Sequence, residues 1–167
     1  RVEVARIERE PDGGWHLQDA DGTALGRFDA VLLTCPPAQA QRLLQPGLNA
    51  GWVEPGWFDR PVQMRAVWTV MAAFESRVAS AHDAMALDGE PLEFALRNSS
   101  KPERTGGPES WVLHAAPDIT EQFLDHPKEA VVDDFLAALA YHLDTSLPRV
   151  IFARAHRWLY ARAEATD

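Results

Sequence analysis

Every even-numbered residue from 62 to 74 is apolar: Val62, Met64, Ala66, Trp68, Val70, Ala72 and Phe74. Successive side chains of an extended backbone point to opposite faces, so this alternation predicts a long half-buried strand over 62–75. The odd positions include Gln63, Arg65, Thr69 and Glu75. That second face is either wet or lines a cavity. A strand of this length needs other strands beside it and a layer packed on its apolar face.

The residues that follow supply both. Residues 76–90, with His82-Asp83 and Asp88-Gly89, read as loop and turn, and Pro91 to Arg97 as a strand. Arg97-Asn98-Ser99-Ser100-Lys101-Pro102 is a polar turn, because Asn and Ser compete for backbone hydrogen bonds. It is either a plain connection or a loop that offers charge to an anionic or polar ligand, with Arg97 able to grip a carboxylate or phosphate through two nitrogens. Gly106-Gly107-Pro108 marks a flexible tip, and Ser110 to Ala115 is a strand with His114 near its end. Asp118-Ile119-Thr120-Glu121 has the form of a capping box opening a short helix to about Asp125. Pro127 suits the first position of a second helix, in which Val132, Phe135, Leu136, Leu139 and Leu143 recur at helical spacing. Glu129, Asp133 and Asp134 sit where the helix dipole favours anions and read as a solvated face rather than a metal cluster. Val150 to Tyr160 is the last strand, with Trp158 and Tyr160 on one face.

The first part of the chain is built differently. Val2, Val4 and Ile7, then Trp15 and Leu17, then Leu25 to Leu33 read as three strands, joined at Asp12-Gly13-Gly14 and at Asp21-Gly22, with a bulge at Gly26. The run Ala30 to Leu33 is continuously apolar and stops at Thr34-Cys35-Pro36-Pro37, which suits a strand buried on both faces. Ala38 to Leu44 reads as a short helix started by one of the prolines. Residues 45–61 form a punctuated linker whose Trp52, Trp57 and Phe58 cap the core.

Composition excludes several functions. Net charge is −9, which argues against nucleic-acid binding. No apolar run approaches the length of a membrane span. The single cysteine, Cys35, forms no internal disulfide and fits a reducing, cytoplasmic setting; it reads better as a small buried hydrophobe than as a nucleophile. Cys-x-x-Cys, His-Glu-x-x-His and Gly-x-Ser-x-Gly are all missing, and the six histidines lack metal spacing.

The order Val4-Ala5-Arg6-Ile7, Gly13-Gly14-Trp15-His16-Leu17, Asp21-Gly22 and Phe28-Asp29-Ala30-Val31 resembles the FAD-dependent amine-oxidase superfamily. Ala95 to Pro102, Glu109 to Ala115 and His156-Arg157-Trp158-Leu159-Tyr160-Ala161 look like its renalase-like branch. The resemblance implies an α+β chain. Residues 1–37 would be the β-meander and cofactor-side strand of an FAD-binding domain. Residues 38–161 would be a substrate-binding domain, mainly an antiparallel sheet with helices on one face, and 162–167 a truncated tail. It implies that Val4, Thr34, Cys35 and Pro36 lie against FAD, and that Arg97, Asn98, His114 and Trp158 face a small-molecule substrate. Plain core packing is the alternative for Val4 and Trp158, and a surface position for His114. No Gly-x-Gly-x-x-Gly occurs among the ten glycines, so this stretch alone is expected to be a central fragment that binds FAD weakly or not at all. The implied reaction is hydride transfer from an amine or a dihydronicotinamide-type substrate to FAD, with oxygen as acceptor. The competing reading is a non-enzymatic ligand-binding domain of the same fold. Exposed edges of the meander would favour a homodimer.

Overall fold

The computed structural model describes residues 2–59, 62–104 and 106–164. The end of the expected linker at Arg60-Pro61 and most of the expected tail, residues 165–167, lie outside them. The chain forms two compact units, one of residues 1–63 with 164–167 and one of residues 64–163. The helix after the meander therefore groups with the first unit, later in the chain than the expected division at 37/38.

In the first unit, β1 (Arg6–Arg9), β2 (Trp15–Gln18) and β3 (Ala24–Phe28) form an antiparallel meander in that order. The register slips between Leu17 and Gln18, opposite Gly26, which takes φ 123°, so the expected bulge is present. The apolar run 30–33 departs from expectation. It takes no regular secondary structure, with Val31 and Leu33 half-buried and Leu32 87% exposed, and it pairs with no strand among the described residues. Apolar composition alone does not build a strand; a ladder also needs a neighbour distant in sequence.

Helix α1 (Pro37–Ala50) starts at a proline as expected but runs six residues beyond Leu44, through Pro46. Gly51 ends it in the left-handed conformation, φ 79°, where its N–H and that of Trp52 bond back to helix carbonyls. Gly47 carries no side chain because a Cβ there would lie 2.5 Å from the Trp52 ring. Trp52 in turn meets Trp15 edge-on at 5.2 Å, so it covers the meander. Trp57 is exposed.

The second unit holds β4 (Met64–Phe74), β5 (Ala84–Gly89), β6 (Leu92–Arg97), β7 (Glu109–Ala115), α2 (Pro117–Gln122), α3 (Lys128–His142) and β8 (Val150–Ala163). The sheet order is β5-β6-β7-β4-β8, antiparallel throughout. This is the α+β arrangement expected. Three boundaries differ. Residues 84–89 pair with β6 rather than looping free, because Pro91 closes a tight hairpin. Strand β8 runs on to Ala163. Asp118 and Glu121 form no capping box; α2 begins at Pro117, and both carboxylates accept from Arg65 of β4, at 2.5 and 2.8 Å.

The parity of β4 organises the unit. Its even residues Trp68, Val70, Ala72 and Phe74 are buried with Trp111 and Leu113 of β7 and with Val131, Phe135 and Leu139 of α3. Thr120 of α2 ties that layer to the sheet: its hydroxyl accepts from the Trp68 N–H at 3.0 Å and donates to the Ala116 carbonyl. The odd residues Val67, Thr69 and Met71 turn to the other face, away from the α3 residues of this cluster.

Candidate functional site

The open face is read from the register. Thr69 of β4 lies opposite His114 of β7 on one side and His156 of β8 on the other, and His114 lies opposite Phe94 of β6. One row across four strands is therefore Phe94, His114, Thr69, His156. In the next row Val67 faces Trp158. A bulge between Leu92 and Phe94 makes this possible. It turns Leu92, Ala95 and Arg97 toward the helices and lets Glu93 and Phe94 both reach the open side.

Val67, Thr69, Glu93, Phe94, His114 and Trp158 line a cleft of about 310 Å³. Thr69 is 4% exposed, and its Oγ1 lies 3.0 Å from His114 Nδ1. Burial of the ring holds the His114 pKa below the ordinary histidine value, Glu93 draws it back up and Lys101 lowers it further. A neutral ring bonded at Nδ1 presents Nε2 in the opposite role, donor if Nδ1 accepts and acceptor if Nδ1 donates. Trp158 is 53% exposed and stands edge-on to His156 at 4.3 Å. Arg162 reaches across to the Glu93 carboxylate at 3.0 and 3.1 Å and forms one rim.

Of the four expected substrate residues, the structure brings together His114 and Trp158. Arg97 lies on the helix side at 2% exposure. Its guanidinium donates to Asp83 at 2.7 Å and to the Val78 carbonyl at 2.9 Å, and its Nε lies 3.0 Å from Glu109 as an ion pair outside hydrogen-bond angles. It also lies 5.0 Å from the Trp111 ring centre. This side chain is engaged inside the fold, where the sequence suggested a ligand grip. Asn98 opens the 3₁₀ turn Asn98–Ser100, half-buried and outside the cleft lining. Sequence reasoning missed Thr69 and Phe94 as site residues. The signal for Thr69 was present, a polar residue on the mixed face of the alternating strand.

On the meander, Val4 is half-buried just before β1; the backbone pairing starts at Ala5, whose N–H donates to Gln18. Thr34 and Cys35 lie in the irregular segment before α1, and the Pro36 carbonyl accepts from Gln39 and Ala40 at the start of that helix. Backbone groups of Val4, Thr34 and Cys35 thus stand outside the sheet ladder, as a backbone-held nucleotide needs.

The model of the flavin containing amine oxidoreductase family matches residues 1–162. The chain belongs to that family. A crystal structure of a proposed protoporphyrinogen oxidase from Exiguobacterium sp. 255-15 superposes with a TM-score of 0.63 over 99% of this chain, at 16% identity. At that identity the likeness is one of fold. The chain spans 36% of that protein's length. FAD is the family's cofactor. No helix among the described residues is long and apolar enough to cross a membrane.

Proposed function

We infer that this chain is part of a flavin-dependent oxidoreductase in which the open sheet face, with His114 and Trp158, holds the substrate for oxidation. The observation that carries this is the cleft itself: two residues nominated from separate strands converge, beside Thr69, on the face turned away from α3. Val4, Thr34, Cys35 and Pro36 would hold FAD chiefly through backbone groups. The flavin, when bound, supplies the hydride acceptor, and oxygen the onward acceptor.

The chain's own residues then position and exclude. Trp158 and Phe94 offer flat apolar surface to a substrate body. The Thr69 bond fixes the His114 ring, and its neutral Nε2 gives the substrate one directional hydrogen bond. The cleft has a single cation, Arg162, already held by Glu93. That favours an apolar-bodied amine, taken up in its neutral form. The dihydronicotinamide dinucleotide of the renalase-like branch would need phosphate contacts, and Arg97 is engaged elsewhere. Outer strand β8 exposes Ile151, Phe152 and Tyr160, which supports pairing with a second copy in a homodimer.

The test is a visible spectrum of the protein purified from the complete reading frame. A bound-flavin spectrum that bleaches anaerobically with an aromatic amine, and bleaches much more slowly in Trp158→Ala, is the expected result. Bleaching only with a dihydronicotinamide would reassign the substrate. Absence of flavin after added FAD would leave the ligand-binding alternative.

A further inference from the structure

We propose that the second unit carries another ligand site, on the helix side of the sheet, for a small organic cation with an aromatic or branched apolar body. A cavity of about 450 Å³ lies there among β4, the β5–β6 turn, α2 and α3. Its walls include Trp68, Phe123, Phe135 and Tyr141, and its charged groups are Glu90 and Asp134. A volume of this size suits a small molecule, and aromatic walls with few polar groups are what such sites require.

Charge selects the class. Among the described residues no lysine or arginine lines the cavity, while two carboxylates stand at it from different elements, the β5–β6 turn and α3. An anion would meet only like charge. A neutral apolar guest would leave both exposed carboxylates to solvent and gain nothing from them. An ammonium or guanidinium replaces that solvent with charge-assisted bonds and gains from aromatic faces within about 6 Å. The Trp68 indole N–H is spent on the Phe123 carbonyl at 3.0 Å, and His126 lies edge-on to Phe123 at 4.6 Å. Arg157 lies 5.7 Å from the Trp68 ring centre, and its head is bonded to the Leu124 carbonyl and Asp125.

The cavity is separate from the His114 cleft. Trp68 and Val67 are consecutive on β4 and point to opposite faces, so the sheet itself divides the two sites. The proposal therefore stands whether or not the cleft oxidises an amine.

The probe is 2-phenylethylammonium chloride, with 2-phenylethanol as the same body without the charge. Binding is read on the complete flavoprotein from the indole N–H resonance of Trp68, assigned by its loss in Trp68→Phe. The ammonium is expected to shift that resonance and to bind at least roughly tenfold more tightly than the alcohol, a gap of about 1.4 kcal/mol. Glu90→Gln with Asp134→Asn removes both charges from exposed positions and is expected to erase most of that preference, leaving flavin bleaching unchanged. Ala138→Phe fills the cavity and is expected to abolish the shift. Equal binding of ammonium and alcohol, undiminished binding in the charge-neutralised variant, or no shift at millimolar ammonium would each overturn the proposal.

Discussion

The two faces of the five-stranded sheet treat their polar residues in opposite ways. On the helix-covered face, Arg97 is surrounded: Asp83, Glu109, Val78 and the Trp111 ring engage its guanidinium. On the open face, His114 has one partner, Thr69, and a second nitrogen turned to a cleft. The family resemblance implied a substrate contact for both residues. Their difference is one of surroundings. Arg97 is enclosed by groups of the fold itself at 2% exposure, whereas His114 lines a cavity with room for a ligand.

The largest effect that would break this comparison is at Arg97. Arg97→Ala leaves Glu109 buried without its cation and opens space against Trp111. Removing one partner of a buried pair costs about 3–5 kcal/mol, and denaturant unfolding should show a loss of that size. The Michaelis constant of whatever folds should stay at the wild-type value. A stable variant with a raised constant would return Arg97 to the substrate.

Trp158 sharpens the other side. It is half in solvent, so Trp158→Ala should move the unfolding midpoint little. If it carries substrate surface, kcat/KM should fall roughly tenfold, on the order of an aromatic contact of about 1.4 kcal/mol. A large stability loss with unchanged kinetics would make it a packing residue.

The sequence carried the sheet better than the site, for reasons visible in particular residues. The alternation at 64–74 survives in β4 because side-chain parity is a local property of an extended chain. The run 30–33 reads equally apolar, yet its pairing depends on residues far away in sequence, and among the described residues it finds none. Residues 84–89 failed in the reverse sense: little in Ala-Met-Ala-Leu-Asp-Gly announces a strand until Pro91 folds it onto β6. Asp118 and Glu121 have the spacing of a helix cap, but Arg65 is a stronger partner than a backbone N–H. The faces were lost at one position. The bulge beside Leu92 sends Arg97 inward and Phe94 outward, and a one-residue shift cannot be read from composition.

Thr69→Val tests whether the His114 ring is held. The change keeps shape and removes the hydroxyl, so one hydrogen bond, about 1 kcal/mol, is the expected cost. Activity should fall by more than stability does, because the ring loses its fixed orientation at Nδ1. Unaltered kinetics with a one-bond loss of stability would confine Thr69 to structure.

The smallest effect is the most specific to the open face. Burial depresses the His114 pKa below 6.5, against Glu93, which raises it, and together with Lys101, which lowers it. The unfolded chain then takes up the proton first as pH falls. Between 6.5 and the folded pKa the unfolded state holds more protons, so stability declines with falling pH across that window and levels off below it. The neutral ring that the cleft presents is lost through the same folded pKa, so kcat/KM should decline with it. An NMR titration should place His114 below 6.5, and His114→Asn should remove that part of the stability–pH slope. Arg97 is closed inside the opposite face and is not among the groups that shift His114, so Arg97→Ala should leave the shape of this profile unchanged. A His114 midpoint at or above 6.5 would mean that the open face solvates its histidine fully, and the contrast between the two faces would reduce to one of coverage.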